Sequence, residues 1–188
     1  MVKSRLRAQL LARRASRSPA ERRAAAAGLA RHLDALPEIG AARCVTAYVG
    51  VDDEPGTGPL LDEAAARGLE VLLPVALRGG RLAWAAYTGT ADLVAGRFGL
   101  REPAGPRLGP EAVAEADLLL VPALAVDRAG HRLGRGGGHY DRLLASLAQP
   151  AYAVVFDDEV LDAVPVDAHD RSVTGALTPS GFVRLVKS

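Results

Sequence analysis

Four apolar residues in a row, Leu118-Leu119-Leu120-Val121, stand between Asp117 and Pro122, and they restrict the fold more than any other feature of the chain. A strand with no polar side must be covered on both faces, which is how strands of parallel sheets read. Residues 43–49 and Ala151 to Phe156 have the same character. Between such runs lie segments of helical period. Leu6, Leu10 and Leu11 fall on one side of a helix over residues 3–15, and Lys3 and Arg7, four apart, share another face. Ser18-Pro19-Ala20-Glu21 spells a helix start, with a capping serine, a first-turn proline and the glutamate of a capping box. That helix is expected to run to Leu36, ahead of Pro37. Thr57 is expected to cap a helix that reaches Arg67 and ends at Gly68. Further strands are expected over residues 69–75, 81–87 (after a turn at Gly79-Gly80), 173–177 and 182–186. Residues 88–110, rich in Gly and Pro, read as irregular. A loop runs from Ala123 to about Gly136, and a helix follows from about Gly138 to Leu147. This alternation predicts an α/β fold, a mostly parallel sheet covered on both faces, in a single domain over residues 1–188. Ligands of such sheets bind beyond the carboxyl ends of the strands, where the loops 52–56 and 123–138 belong.

Composition narrows the function by exclusion. With 188 residues, 49% of them apolar, the chain can bury a core and is not a disordered polymer. A formal net charge of +1 gives no broad nucleic-acid surface. No apolar stretch approaches the roughly 18 to 20 residues that cross a bilayer. The single cysteine, Cys44, sits in an apolar run and reads as a small buried hydrophobe; a chain without an internal disulfide suits the reducing cytoplasm. The basic, acid-poor start resembles a transit peptide in composition, a reading weighed against the resemblance described below, and it lacks the continuous apolar core of a secretory signal. Four histidines without paired ligand spacing argue against zinc.

Chemistry concentrates in residues 121–142. A buried strand leads into a loop with four glycines in the five positions Gly134 to Gly138, flanked by Arg132 and Arg135 and followed by His139-Tyr140-Asp141. Glycines let backbone N–H groups turn toward an anion and let a phosphate come close. A following helix adds partial positive charge at its start. Arginine forks match phosphate oxygens, and a carboxylate at Asp141 can share Mg²⁺ with them. The pattern is not a P-loop, since no Lys-Ser/Thr pair follows the glycines, nor a dinucleotide-binding fingerprint. Taken without that loop, Lys3 and Arg7 read as a solvated helix face, and Asp52-Asp53-Glu54 as a polar loop.

The run Arg132-Leu133-Gly134-Arg135-Gly136-Gly137-Gly138-His139-Tyr140-Asp141-Arg142 resembles the signature of the 5-formyltetrahydrofolate cyclo-ligase family, also called 5,10-methenyltetrahydrofolate synthetases. Lys3 and Arg7 resemble that family's K-x-x-x-R opening, Tyr48 to Thr57 its E-x-x-T loop, Phe98 to Pro103 a further segment, and Val164 to Asp170 its late P-x-x-x-x-D stretch. The resemblance covers almost the whole chain. It implies a three-layer α/β/α sandwich of the sugar-phosphate isomerase and CoA-transferase type, a monomer that uses ATP and Mg²⁺, and a reduced folate as substrate. It implies ATP contacts from Lys3, Arg7 and Arg132, Leu133, Gly134, Arg135, Gly136, Gly137, Gly138, His139 and Tyr140, with Arg132 and Arg135 in the catalytic role. It implies folate contacts from Arg7, Val49, Glu54 and Arg135 to His139, with Glu54 orienting the pterin, and metal ligation by Asp141 and Asp170. Two positions depart from the family pattern: His139 stands where the family often has Tyr, and Gly137 where some relatives have Lys.

Two other readings use the same residues. A sugar-phosphate isomerase or acyl-transfer enzyme on this type of fold needs no ATP, and a non-catalytic nucleotide- or folate-binding regulator binds ATP without turning it over.

Overall fold

The computed structural model describes residues 2–78, 81–167 and 170–185. The expected turn at Gly79-Gly80 and the pair Ala168-His169 lie outside the described residues. Helix α1 spans Val2–Ala15 and α2 Pro19–Arg31; strand β1 spans Cys44–Thr46, helix α3 Gly58–Ala66, and strands β2 and β3 Glu70–Ala76 and Leu82–Ala86. Strands β4 (Leu93–Ala95) and β5 (Arg101–Pro103) precede β6 (Leu118–Pro122), β7 (Ala125–Asp127) and β8 (Arg132–Leu133). Helix α4 covers His139–Leu144, and β9 (Ala151–Val154), β10 (Val160–Leu161), β11 (Gly175–Thr178) and β12 (Gly181–Arg184) close the chain.

The main sheet has the order β12-β11-β9-β6-β1-β2-β3. Its five inner strands are parallel, and the edges β3 and β12 are antiparallel. Successive residues of each inner strand face opposite layers, so runs such as Leu118–Val121 divide between two cores. Leu118 and Leu120 join Val45, Val71, Leu73 and Tyr152 beneath Leu29, Leu33, Leu60 and Leu61 of the α2–α3 side. Leu119 and Val121 join Cys44, Leu72, Trp84, Ala151 and Ala153 on the other face, which Val113, Tyr140, Leu143 and Leu144 help to cover. This two-sided burial is what a fully apolar strand demands, and it makes Cys44 the small buried hydrophobe that its neighbours suggest. Burial pushes the Cys44 thiol up to about 11, so it stays protonated at neutral pH.

Local chemistry explains most element ends. Ser18 and Glu21 form the expected reciprocal cap at the start of α2, with the Ser18 N–H donating to the Glu21 carboxylate at 2.7 Å. The helix stops at Arg31 rather than Leu36, because residues 33–35 tighten into a 3₁₀ turn that drives Leu33 and Leu36 into the core. Thr57 stands at the N-cap of α3 without capping it. Its hydroxyl instead donates to the Tyr48 carbonyl at 2.6 Å and accepts from the Gly50 N–H at 2.9 Å, tying the end of the β1 segment to the next loop. Residues 88–110 are not wholly irregular: β4 and β5 pair antiparallel there, too short to show a period in the sequence. Likewise β7 and β8 form a small hairpin inside the expected loop, joined by β10 in a three-stranded sheet.

Chain direction across the main sheet decides where a ligand can sit. From β1 the chain moves to β2 and β3 on one side, and it returns through β6 on the other side of β1. The order therefore reverses between β1 and β6, and a crevice opens outside their carboxyl ends, the usual binding position in such sheets.

Candidate functional site

A cavity of about 430 Å³ occupies that crevice. Tyr48 and Val49, after β1, and Pro122 and Ala123, at the end of β6, line its floor; Pro74 and Ala76 of β2 line one flank. Residues 132–141 form another wall without a gap, and Arg7, Val51, Asp52, Glu54 and Asp170 complete that side. Every residue expected at the site lines this cavity except Lys3. The Lys3 ammonium instead binds the carboxylates of Asp167, at 2.6 Å, and Asp170. Burial pulls the Lys3 pKa down, but hydrogen bonds and charge from Asp167 and Asp170 outweigh it and hold the ammonium protonated. The face of α1 that carries Lys3 and Arg7 therefore turns inward, against the bare reading of a solvated face.

The glycine loop owes its shape to the hairpin that precedes it. Asp127 accepts backbone N–H groups from Ala129 and His131 and closes the turn between β7 and β8. β8 then delivers Arg132 as a 97%-buried side chain. Its Nη1 donates to the Arg171 carbonyl at 2.6 Å and its Nη2 meets Asp141 at 2.9 Å, while Nε, also buried, has no partner among the described residues. A buried guanidinium N–H without an acceptor is costly unless a ligand supplies one. Beyond it, Gly136 and Gly138 adopt φ of +104° and +65°, turning the backbone in ways a side chain resists. Arg7 Nε donates to the Gly134 carbonyl at 2.9 Å, and Arg142 reaches the Gly137 carbonyl at 3.2 Å, so the loop is braced from both sides. His139 fills the space above Gly137, where a Cβ would fall 2.7 Å from its Nδ1. The α4 helix ends at Leu144, shorter than expected, and its dipole is that of fewer than two turns.

Arg135 behaves differently from Arg132. It is part-exposed and folds onto the acidic loop, with Nη2 at 2.8 Å from Asp53 and Nε at 3.0 Å from Glu54. Glu54 also accepts the Val51 N–H at 3.2 Å. Burial raises the Glu54 pKa, and the Val51 N–H, Arg135 and Arg14 work against that rise. Asp52 turns the loop through φ +52°, a conformation Asp tolerates better than most residues. Tyr48 is buried, its hydroxyl has no partner among the described residues, and burial beside Glu54 lifts its pKa well above the ordinary phenol range.

Asp141 and Asp170 line the cavity singly, Asp141 against Arg132 and Asp170 against Lys3. Among the described residues, no three His, Cys, Asp or Glu side chains gather into a metal-binding group. Magnesium commonly takes one or two carboxylates and completes its shell with phosphate oxygens and water. The two carboxylates therefore suit a cation that arrives with phosphates better than a resident one.

Reasoning from sequence did not single out Tyr48, Arg81 or Arg101 as individual contacts, although all three line the cavity. Tyr48 and Arg101 lie inside segments of the resemblance. Arg81 carries no signal of its own: it immediately precedes the edge strand β3, and only the sheet order brings that strand to the crevice.

A family model described as the 5-formyltetrahydrofolate cyclo-ligase family matches residues 1–179. The chain is 49% identical to a 5-formyltetrahydrofolate cyclo-ligase of Mycolicibacterium smegmatis over 97% of both chains. An Escherichia coli protein of the same name is 29% identical over 89% of this chain and 95% of its own length. The NMR structure of Aquifex aeolicus 5,10-methenyltetrahydrofolate synthetase superposes with a TM-score of 0.84 at 33% identity, covering 100% of this chain and 95% of that one.

Proposed function

This chain belongs to the 5-formyltetrahydrofolate cyclo-ligase family, and from that premise we propose that it closes 5-formyltetrahydrofolate to 5,10-methenyltetrahydrofolate at the expense of ATP, releasing ADP and phosphate. The observation that carries the ATP half of the reading is the wall made by residues 132–141: a backbone turned by glycines beside a buried arginine whose Nε lacks an acceptor. A sugar-phosphate isomerase on this type of fold needs no ATP.

The chemistry follows from the residues. An N-formyl group is a poor electrophile because the nitrogen lone pair is delocalised into the carbonyl. In the proposed step the formyl oxygen attacks the terminal phosphorus of ATP and ADP departs. N10 of the folate then bonds to the formyl carbon and loses its proton, and phosphate leaves with the former formyl oxygen. Such a transfer needs alignment and charge neutralisation more than a protein nucleophile. Arg132 and the loop N–H groups would hold the phosphates in line; Arg7 braces the loop through the Gly134 carbonyl. Glu54 would accept the paired N–H groups of the pterin, with Arg135 keeping its carboxylate charged and oriented. Magnesium held by Asp141 and Asp170 would supply charge neutralisation at the phosphates. A single buried thiol suits a cytoplasmic setting, and no described helix is long and apolar enough to cross a membrane. We take residues 1–188 as one catalytic domain acting as a monomer.

The test is the reaction itself. Methenyl product, followed by its absorbance, is expected only when 5-formyltetrahydrofolate, ATP and Mg²⁺ are all present, with one ADP formed per product. Product without ATP, or none under any condition, overturns the assignment, and ATP binding without product points to the regulator.

A further inference from the structure

Five arginines line the cavity, and their partners divide them into two groups. Arg132 and Arg135 are paired with carboxylates, and Arg7 donates to the glycine loop. Arg81 and Arg101 stand apart from that wall. Arg81 precedes β3, and its side chain has no hydrogen bond or ion pair with another described residue. Arg101 opens β5, and its Nη2 is held by the carbonyl of Leu93 at 3.1 Å, with that of Thr90 at 3.4 Å; it has no carboxylate partner among the described residues. The β5 strand packs against both β2 and β3, and the Arg81 carbonyl accepts the Leu77 N–H at 2.9 Å just past the end of β2, so both arginines belong to the β2–β3–β5 flank of the cavity. Between them and the floor, the wall is apolar: Pro74, Ala76, Leu77, Leu82 and Leu100.

An apolar wall ending in two cations that have no ion-pair partner among the described residues matches an aryl group followed by carboxylates. We propose that this flank of the cavity is the subsite for the aminobenzoyl-glutamate tail of the substrate, with Arg81 and Arg101 as the clamp for its glutamyl carboxylates. The proposal rests on the reading of the substrate as a reduced folate. With the formyl group at the glycine wall and the pterin by Glu54, the tail must leave along the apolar wall and ends at the arginines. Both residues are exposed, so the clamp is open to solvent and can accept γ-linked glutamates beyond the first.

The experiment compares 5-formyltetrahydrofolate, its tri-γ-glutamate form, and 5-formyltetrahydropteroate, which lacks the glutamate. Arg81→Ala and Arg101→Ala are each expected to raise KM for the folate about tenfold, the usual scale for a lost charge-assisted contact, with kcat and KM for ATP within about threefold of wild type. The loss should be at least as large for the triglutamate and should vanish for the pteroate. Raising the salt should weaken folate binding to the wild type more than to either variant. Arg101 also holds two backbone carbonyls, so a melting temperature accompanies each variant; Arg81→Ala removes no contact within the protein and carries the test if Arg101→Ala is destabilised. Equal losses on pteroate and folate, or an unchanged KM in folded Arg81→Ala, overturn the clamp while leaving the substrate assignment intact. A wild type that turns over none of the three overturns both.

Discussion

Gly136→Val is expected to reduce kcat/KM for ATP by more than about 100-fold while the main sheet stays folded. Two causes combine. At φ +104° an L-residue is strained, and a β-branched one more so. The cost of such a conformation, about 1–3 kcal/mol, is avoided by rearranging the loop, which removes its N–H groups from their present directions. A Cβ there would also stand 3.8 Å from Arg7 Cζ, so the branches of valine would crowd the arginine that braces the loop. Gly134→Ala is the contrast within the same loop. Gly134 has no positive φ, and a Cβ there meets nothing within 4 Å, so the loss should stay below about tenfold if the backbone turn at 136 is what matters. ATP affinity read by titration, beside the melting temperature, separates the outcomes. Equal, small effects at 134 and 136 would mean that the glycines do not cradle phosphate.

The other large effect is expected at Arg132. Arg132→Lys keeps a positive charge but cannot span the Arg171 carbonyl, the Asp141 carboxylate and the free Nε direction at once. An arginine that neutralises charge in phosphoryl transfer is commonly worth about 10³-fold or more, and kcat should fall on that scale. Because Arg132 is also a strut, Asp141→Asn serves as the companion: it breaks the same pair from the other side while leaving the guanidinium in place. Arg132→Lys is expected to lose far more kcat than Asp141→Asn at saturating Mg²⁺, even where their melting temperatures fall equally. If the two variants lose rate in parallel with stability, Arg132 holds the hairpin and does no more.

The balance between what the residues reveal and what only the fold reveals is itself physical. Runs such as Leu118–Val121 announce strands buried on two faces because no polar side is present, and the structure puts their residues alternately into the two cores. The α2 start was legible because Ser18, Pro19 and Glu21 act on neighbours in sequence. Its end was not: Pro37 looks like the stop, but the turn at 33–35 comes from tertiary packing of Leu33 and Leu36. Short pairs such as β4 with β5 and β7 with β8 escape detection because two or three residues carry no period. At the site, the glycines and arginines stood out as a local cluster. Whether Lys3 and Arg7 face solvent or turn inward depends on how α1 docks, which packing of Leu10 against Leu124, Leu133 and Val164 decides. The contributions of Arg81 and of the Tyr48 hydroxyl depend on which strands neighbour which, and pairing across the sheet is not written in any one segment.

The most direct measurement follows the formyl oxygen. 5-Formyltetrahydrofolate labelled with ¹⁸O in its formyl group is incubated with the protein, Mg²⁺ and unlabelled ATP, and the released phosphate is examined by mass. If the formyl oxygen attacks ATP and leaves as phosphate, each product formed delivers one ¹⁸O atom to inorganic phosphate. Unlabelled phosphate accompanying labelled water would mean that the ring closes by ordinary loss of water with ATP spent elsewhere, and it would contradict phosphoryl transfer at the wall built around Arg132 and the glycines.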